Sequence, residues 1–179
     1  MSNQVILWSM LIVPWLTLFF MERKTIKQFM PTALFSVVTS ILMVEAGETF
    51  NWWIINETAY PFRTVSYLFG LNPVTTMWLL KSTYGRFKLY LAVDVVLNFG
   101  FVYLFLNYFL GNRGIFQPVG ITALQNVLLA SLHGVVIYVF QLWQEGIWSR
   151  SERKSFSTNL QPAAAKPLPK DQENKIDNE

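Results

Sequence analysis

The 179-residue chain has no cysteine, a single histidine and few charges. Without cysteine there is no disulfide, no thiolate metal site and no thiol nucleophile. Charged residues make up 14% of the chain, well below the ~25% of ordinary soluble domains. No Walker A loop, GxSxG elbow, HExxH pair or dinucleotide-binding glycine pattern occurs in it. Soluble-type catalysis therefore has no visible machinery, and neither a cofactor nor a metal is implied.

What the chain does have is apolar length. Hydrophobic residues make up 53% of it, and the mean hydropathy is +0.33. The run at 89–110, LYLAVDVVLNFGFVYLFLNYFL, holds one charge, Asp94. As a helix rising ~1.5 Å per residue it would cross the ~30 Å hydrocarbon core of a bilayer. Further apolar runs fall at 4–21, 29–44, 64–80 and 121–143. They predict an all-α polytopic bundle of five transmembrane helices within residues 1–148. The first run lacks a basic n-region and a small-residue cleavage site, so it reads as a retained helix and not a signal peptide. Pro14 suggests a kink in the first span. Pro31 falls in the first turn of the second, where a missing N–H costs little. Asn72-Pro73 predicts a break in the middle of the third. Residues 149–179 hold three prolines, an alanine run and dense mixed charge. They read as a disordered cytoplasmic tail.

The net charge is +3 and the pI about 9.2. In a soluble protein that would suggest nucleic acid, but here the excess sits at the ends of apolar runs. Arg23, Lys24, Lys27, Lys81, Arg86, Lys88, Arg150, Arg153 and Lys154 fall on one set of linkers. The opposite set holds only Arg63 and Arg113. The positive-inside rule gives an outer N-terminus and a cytoplasmic C-terminus. A four-span rival, with 64–80 re-entrant, would strand Lys81, Arg86 and Lys88 outside. The loop at 45–63 holds Phe50, Trp52, Trp53, Ile54 and Ile55, too apolar for free solvation. It predicts an interfacial segment or a lid over the bundle.

Counting inward at ~1.5 Å per residue places Asn72, Asn98, His133 and Thr39 about 12–15 Å deep, near one level. Asp94 lies one turn from Asn98 on the same helix face. Asp94, Asn98, His133 and Asn72 are thus candidates for a midplane ligand or proton pathway. The alternative is interhelical hydrogen bonding that only ties the bundle, at ~0.6–2 kcal/mol per bond. Ala130 and Gly134 suit close helix contact and that alternative. Glu45 and Glu48 share a face if the second helix continues through Gly47. As a pair they could bind a cation or act as acid and base, or simply form an acidic outer end.

The pattern ERKTIKQFMP, the Glu45/Glu48–Trp52-Trp53 loop and YLFGLNPVTTMWLL carry a resemblance. Over residues 1–148 the chain resembles a group of small uncharacterised multi-pass membrane proteins of spore-forming Gram-positive bacteria. The resemblance implies a bacterial plasma or spore membrane, and it implies no activity. The tryptophan content is similar to that of the five-helix tryptophan-rich sensory proteins, but their loop signatures are absent. The expected role is a non-enzymatic accessory, partner-binding or small-ligand-binding membrane component. The alternative is a small transporter or substrate-binding subunit that uses the midplane residues. The expected partners are the lipid bilayer and another membrane protein or a second copy, with no nucleic acid.

Overall fold

A computed structural model of the chain describes residues 2–159, with side-chain surroundings as far as Gly146. The chain divides into two compact units, Met1–Leu142 and Trp143–Glu179. Five α-helices dominate the described residues, and a two-stranded sheet joins two of the loops. Four helical stretches are long and apolar enough to cross a membrane: Asn3–Phe20, Arg23–Thr49, Phe87–Arg113 and Ala123–Gly146. The expected span at 64–80 is not among them. Its residues form a 3-10 turn, Ser66–Leu68, and the short helix α3, Leu71–Thr83.

Helix α1, Asn3–Leu16, continues as a 3-10 turn over Thr17–Phe20. Helix α2, Arg23–Thr49, begins ahead of the expected start at Phe29 and runs on past Val44. Arg and Lys are good helix formers, and their long stems can carry the charge out to water. Arg23, Lys24 and Lys27 therefore join the helix instead of forming a linker. Pro31 consequently lies inside α2 and not in its first turn.

The break in the third segment is also displaced. Asn72 and Pro73 sit in the first turn of α3, where the N–H that proline lacks would have had no helical partner. The chain bends instead at Gly70, where a Cβ would stand 2.1 Å from the Met10 carbonyl oxygen of α1. The Trp15 indole N–H donates to Phe69 O at 3.0 Å and holds the bend against α1.

Helix α4, Phe87–Gly100, continues as a π-helical stretch over Phe101–Leu110 and a 3-10 turn over Gly111–Arg113. Along the π stretch Phe101, Phe105 and Phe109 stack in sequence, with centroids 5.1 and 5.9 Å apart. Helix α5, Ala123–Asn159, runs across the boundary between the two units. The backbone at 149–159 is thus helical where a disordered tail was expected. That segment holds no proline or glycine, and extending an existing helix avoids the cost of nucleation. Residues 160–179, the rest of the expected tail, lie outside the described residues.

One end of the first unit is capped. Strand β1, Trp53–Ile55, pairs antiparallel with β2, Phe116–Pro118, in the register Trp53↔Pro118, Ile54↔Gln117, Ile55↔Phe116. Trp53 is buried, with its ring packed on Gly47 of α2 so closely that a Cβ there would stand 2.0 Å from it. The Glu57 carboxylate accepts from Asn3 Nδ2 at 2.7 Å and Gln4 Nε2 at 2.9 Å. Asn56 Nδ2 donates to Gly114 O. The N-terminus, the 50–63 loop and the 111–122 loop therefore meet at one end. At the other end Tyr84 packs against Phe29 and Tyr138, and Phe87 against Tyr138. Helix α3 starts beside Met10 of α1 and Ser40 of α2, partway along both, and leads to this second end. Leu34, Val38 and Leu42 on α2, and Leu124, Leu128 and Leu132 on α5, are exposed at helical spacing. Apolar stripes of this kind suit contact with lipid.

Candidate functional site

Between α2, α3, α4 and α5 lies a cavity of about 310 Å³. Trp53 and Phe116 line it from the cap strands, and Tyr90 lines it from the start of α4. None of its lining residues comes from α1. Asn72, Asp94, Asn98 and His133, which the sequence places near one depth, all line it. The three helices that carry them, α3, α4 and α5, turn these faces toward a common interior.

Asp94 is 7% exposed. Asn98, one turn along α4, donates from Nδ2 to Asp94 Oδ2 at 2.9 Å and lies 3.4 Å from Ser131 Oγ of α5. The carboxylate rests against the backbone of Gly134. Tyr90 Oη donates to Gly134 O at 2.8 Å, which closes the α4–α5 contact below it. No Lys or Arg lines the cavity, and among the described residues none pairs with Asp94.

His133 faces the same cavity, but its bonded partner is Thr39 of α2 and not Asn98: Nε2 lies 2.6 Å from Thr39 Oγ1. Thr39 Oγ1 also lies 2.9 Å from Phe35 O. With the hydroxyl proton on that carbonyl, the imidazole N–H donates to Thr39. Asn72 Nδ2 donates to Ser40 Oγ at 2.7 Å and so ties α3 to α2. Thr32 and Gln141 make a further α2–α5 bond, away from the cavity lining.

No family model matches the chain, and no curated protein or solved structure matches it.

Glu45 and Glu48 do share the exposed last turns of α2, because the helix continues through Gly47. Neither lines the cavity. Among the described residues no group of three or more His, Asp or Glu side chains is placed to hold a metal ion.

Several lining residues carried little signal in the sequence. Tyr90 looks like an interfacial aromatic at the end of a span, yet it is almost fully buried. Asn126 shares a face with His133 two turns away, a relation visible in the sequence, and it too lines the cavity. Trp53 and Phe116 reach it only because β1 and β2 pair, and nothing local in either loop announces that pairing.

Chemically, the site is a mostly apolar chamber with a polar belt and one acidic group. Asp94 can hold a proton or a cation. His133 and Thr39 can give and accept hydrogen bonds. Among the described residues Asp94 and His133 share no hydrogen bond; each bonds a different neighbour.

Proposed function

We propose that the protein is an integral membrane component that holds a small ligand inside its helix bundle, as a binding protein or as the binding subunit of a transporter. One observation carries this reading: polar residues from separate helices converge on one roofed cavity of about 310 Å³. That volume lies at the lower end of small-molecule sites, ~300–1,000 Å³. A polar residue within a membrane helix is by default a pathway or site residue.

The proposed topology has five spans. Helix α3 serves as the third, shielded by its neighbours and therefore shorter than a lipid-facing helix needs to be. The path of residues 53–84, from cap strand β1 through the Ser66–Leu68 turn and α3 to the Tyr84 end, supports it. Basic residues gather at that second end, so the N-terminus and the cap lie outside and Glu179 lies in the cytoplasm. The resemblance to small membrane proteins of spore-forming Gram-positive bacteria supports a plasma or spore membrane. The role is non-enzymatic.

A second reading is favoured by the hydrogen bonds themselves. Thr39–His133, Ser40–Asn72 and Asn98–Ser131 each join two helices, which is what a purely structural accessory protein needs. Ala130→Phe separates the two. Ala130 lines the cavity, so a phenyl ring there fills it without removing a polar tie. Small molecules that raise the unfolding temperature of the wild-type protein in micelles are expected to lose that effect on the variant. Unchanged protection in Ala130→Phe would remove the cavity from the account and leave the accessory reading.

A further inference from the structure

We propose that the ligand is an organic ammonium ion whose charged end sits against Asp94 and whose apolar body extends toward Trp53 and Phe116. This proposal rests on the reading of the cavity as a binding site and adds the chemistry of what it binds.

The first argument is charge. Asp94 is buried, and its hydrogen-bond partner, Asn98, is neutral. A buried carboxylate without a counter-charge is costly. Its compensation therefore comes from outside the chain, as a proton or as a cation that enters the cavity. An anionic ligand has nothing to meet, because no Lys or Arg lines the wall.

The second argument concerns the walls. Tyr67, Tyr90 and Phe101 line the cavity together with the two cap aromatics. Aromatic faces attract cations, and the attraction grows when water is excluded. A bare inorganic cation would need a cage of oxygen ligands, and the oxygen-bearing side chains here are spread among apolar ones. An alkyl- or arylammonium suits both the carboxylate and the apolar surface.

The third argument is size. At ~30 Å³ per water, the cavity holds about ten waters' worth of volume. That sets the ligand at about ten heavy atoms by the same measure.

The titratable groups facing Asp94 in the cavity are Tyr90 on its own helix, His133 on α5 and Tyr67 beside α3. Helix α2 contributes Ser40, Met43 and Val44 to the wall and no charge. Protonation of Asp94 removes the charge that an ammonium recognises, and protonation of His133 adds repulsion. Both act in the same direction, so amine affinity falls as pH falls.

The test uses the full chain purified in micelles and three probes of one shape: phenylpropylamine, phenylpropanol and phenylpropanoate. The amine is expected to bind at least about tenfold tighter than the alcohol near pH ~8, the size of one charge-assisted hydrogen bond. Its affinity should fall between about pH 8 and about pH 5, a range over which an alkylamine stays charged, while that of the alcohol stays flat. Asp94→Asn should abolish the preference for the amine while the alcohol still binds. Any pH dependence left in that variant belongs to His133. Should Asp94→Asn fail to fold, the wild-type preference for the amine over the alcohol near pH ~8 decides alone. Equal binding of amine and alcohol at every pH would overturn the ammonium and leave the cavity as a neutral-ligand site. Tighter binding of the carboxylate would overturn it as well. Binding of none of the three would remove both the ammonium and the binding-site reading.

Discussion

The Asp94 carboxylate occupies the space that a side chain at position 134 would need. A Cβ on Gly134 would stand 2.5 Å from Asp94 Oδ1 and 2.6 Å from Oδ2. Residue 134 has room for a carboxylate only because it is glycine. Gly134→Ala is therefore expected to push Asp94 off its bond to Asn98 and to destabilise the protein by about 1–3 kcal/mol. The same change in an Asp94→Ala background should lose that penalty and gain up to ~1 kcal/mol from the better helix former. Unfolding of the four proteins of this cycle in mixed micelles measures the coupling. Additive single changes would mean that the two residues do not compete for space.

His133 and Thr39 give the second prediction. His133→Leu leaves Thr39 without its α5 partner, at a cost of about 0.6–2 kcal/mol, the range of an interhelical bond in lipid. His133→Asn keeps a polar side chain and should lose less. If both folded proteins also lose ligand protection, His133 contacts the ligand. If only stability changes, its role ends at Thr39.

The bend at Gly70 yields a sharper expectation. A Cβ there meets the backbone oxygens of Met10 and Leu11 at 2.1 and 2.5 Å, and backbone cannot rotate out of the way. Gly70→Ala should cost at the upper end of ~1–3 kcal/mol and lower the folded yield. Gly100→Ala is the control: its Cβ would meet nothing within 4 Å, and the change should be neutral or stabilising by up to ~1 kcal/mol.

Topology can be read with reporters. A fusion after Glu179 and an insertion at Gly85 should both report the cytoplasm, while an insertion at Tyr60 should report the outside. The same compartment reported from Tyr60 and Gly85, which flank α3, would show that α3 does not cross, and the five-span proposal would fall.

Four of the five helices were legible because each carries a long apolar run, a signal that tertiary contacts rarely overturn. Their ends were not. Arg23, Lys24 and Lys27 look like a linker by charge but are helical by propensity. Asn72-Pro73 looks like a mid-helix break, yet a proline just inside a helix start is harmless. The sequence does not show which glycine another backbone approaches, so Gly70 passed unnoticed. Convergence of Asn72, Asp94, Asn98 and His133 was legible because depth follows from counting residues along a helix of fixed rise. Facing direction around the axis was less so: at that common depth nothing singled out Thr39 as the bond partner of His133. The π-helical stretch at Phe101–Leu110 and the β1–β2 pairing had no local signature. Both depend on contacts between segments far apart in the chain.

The pairing of β1 with β2 also sets an order of assembly. During synthesis β1 emerges well before β2, separated from it by α3, α4 and the π-helical stretch. At ~5–20 residues per second, Trp53–Ile55 waits several seconds for its partner. Through that interval its strand edge is unpaired. A nascent chain stalled before Phe116 would present an apolar open edge at the membrane surface, the kind of feature that quality-control proteases and chaperones engage. The roof thus closes after α4 is made and before α5 adds the last wall, and its closure marks a chain whose fourth helix is complete.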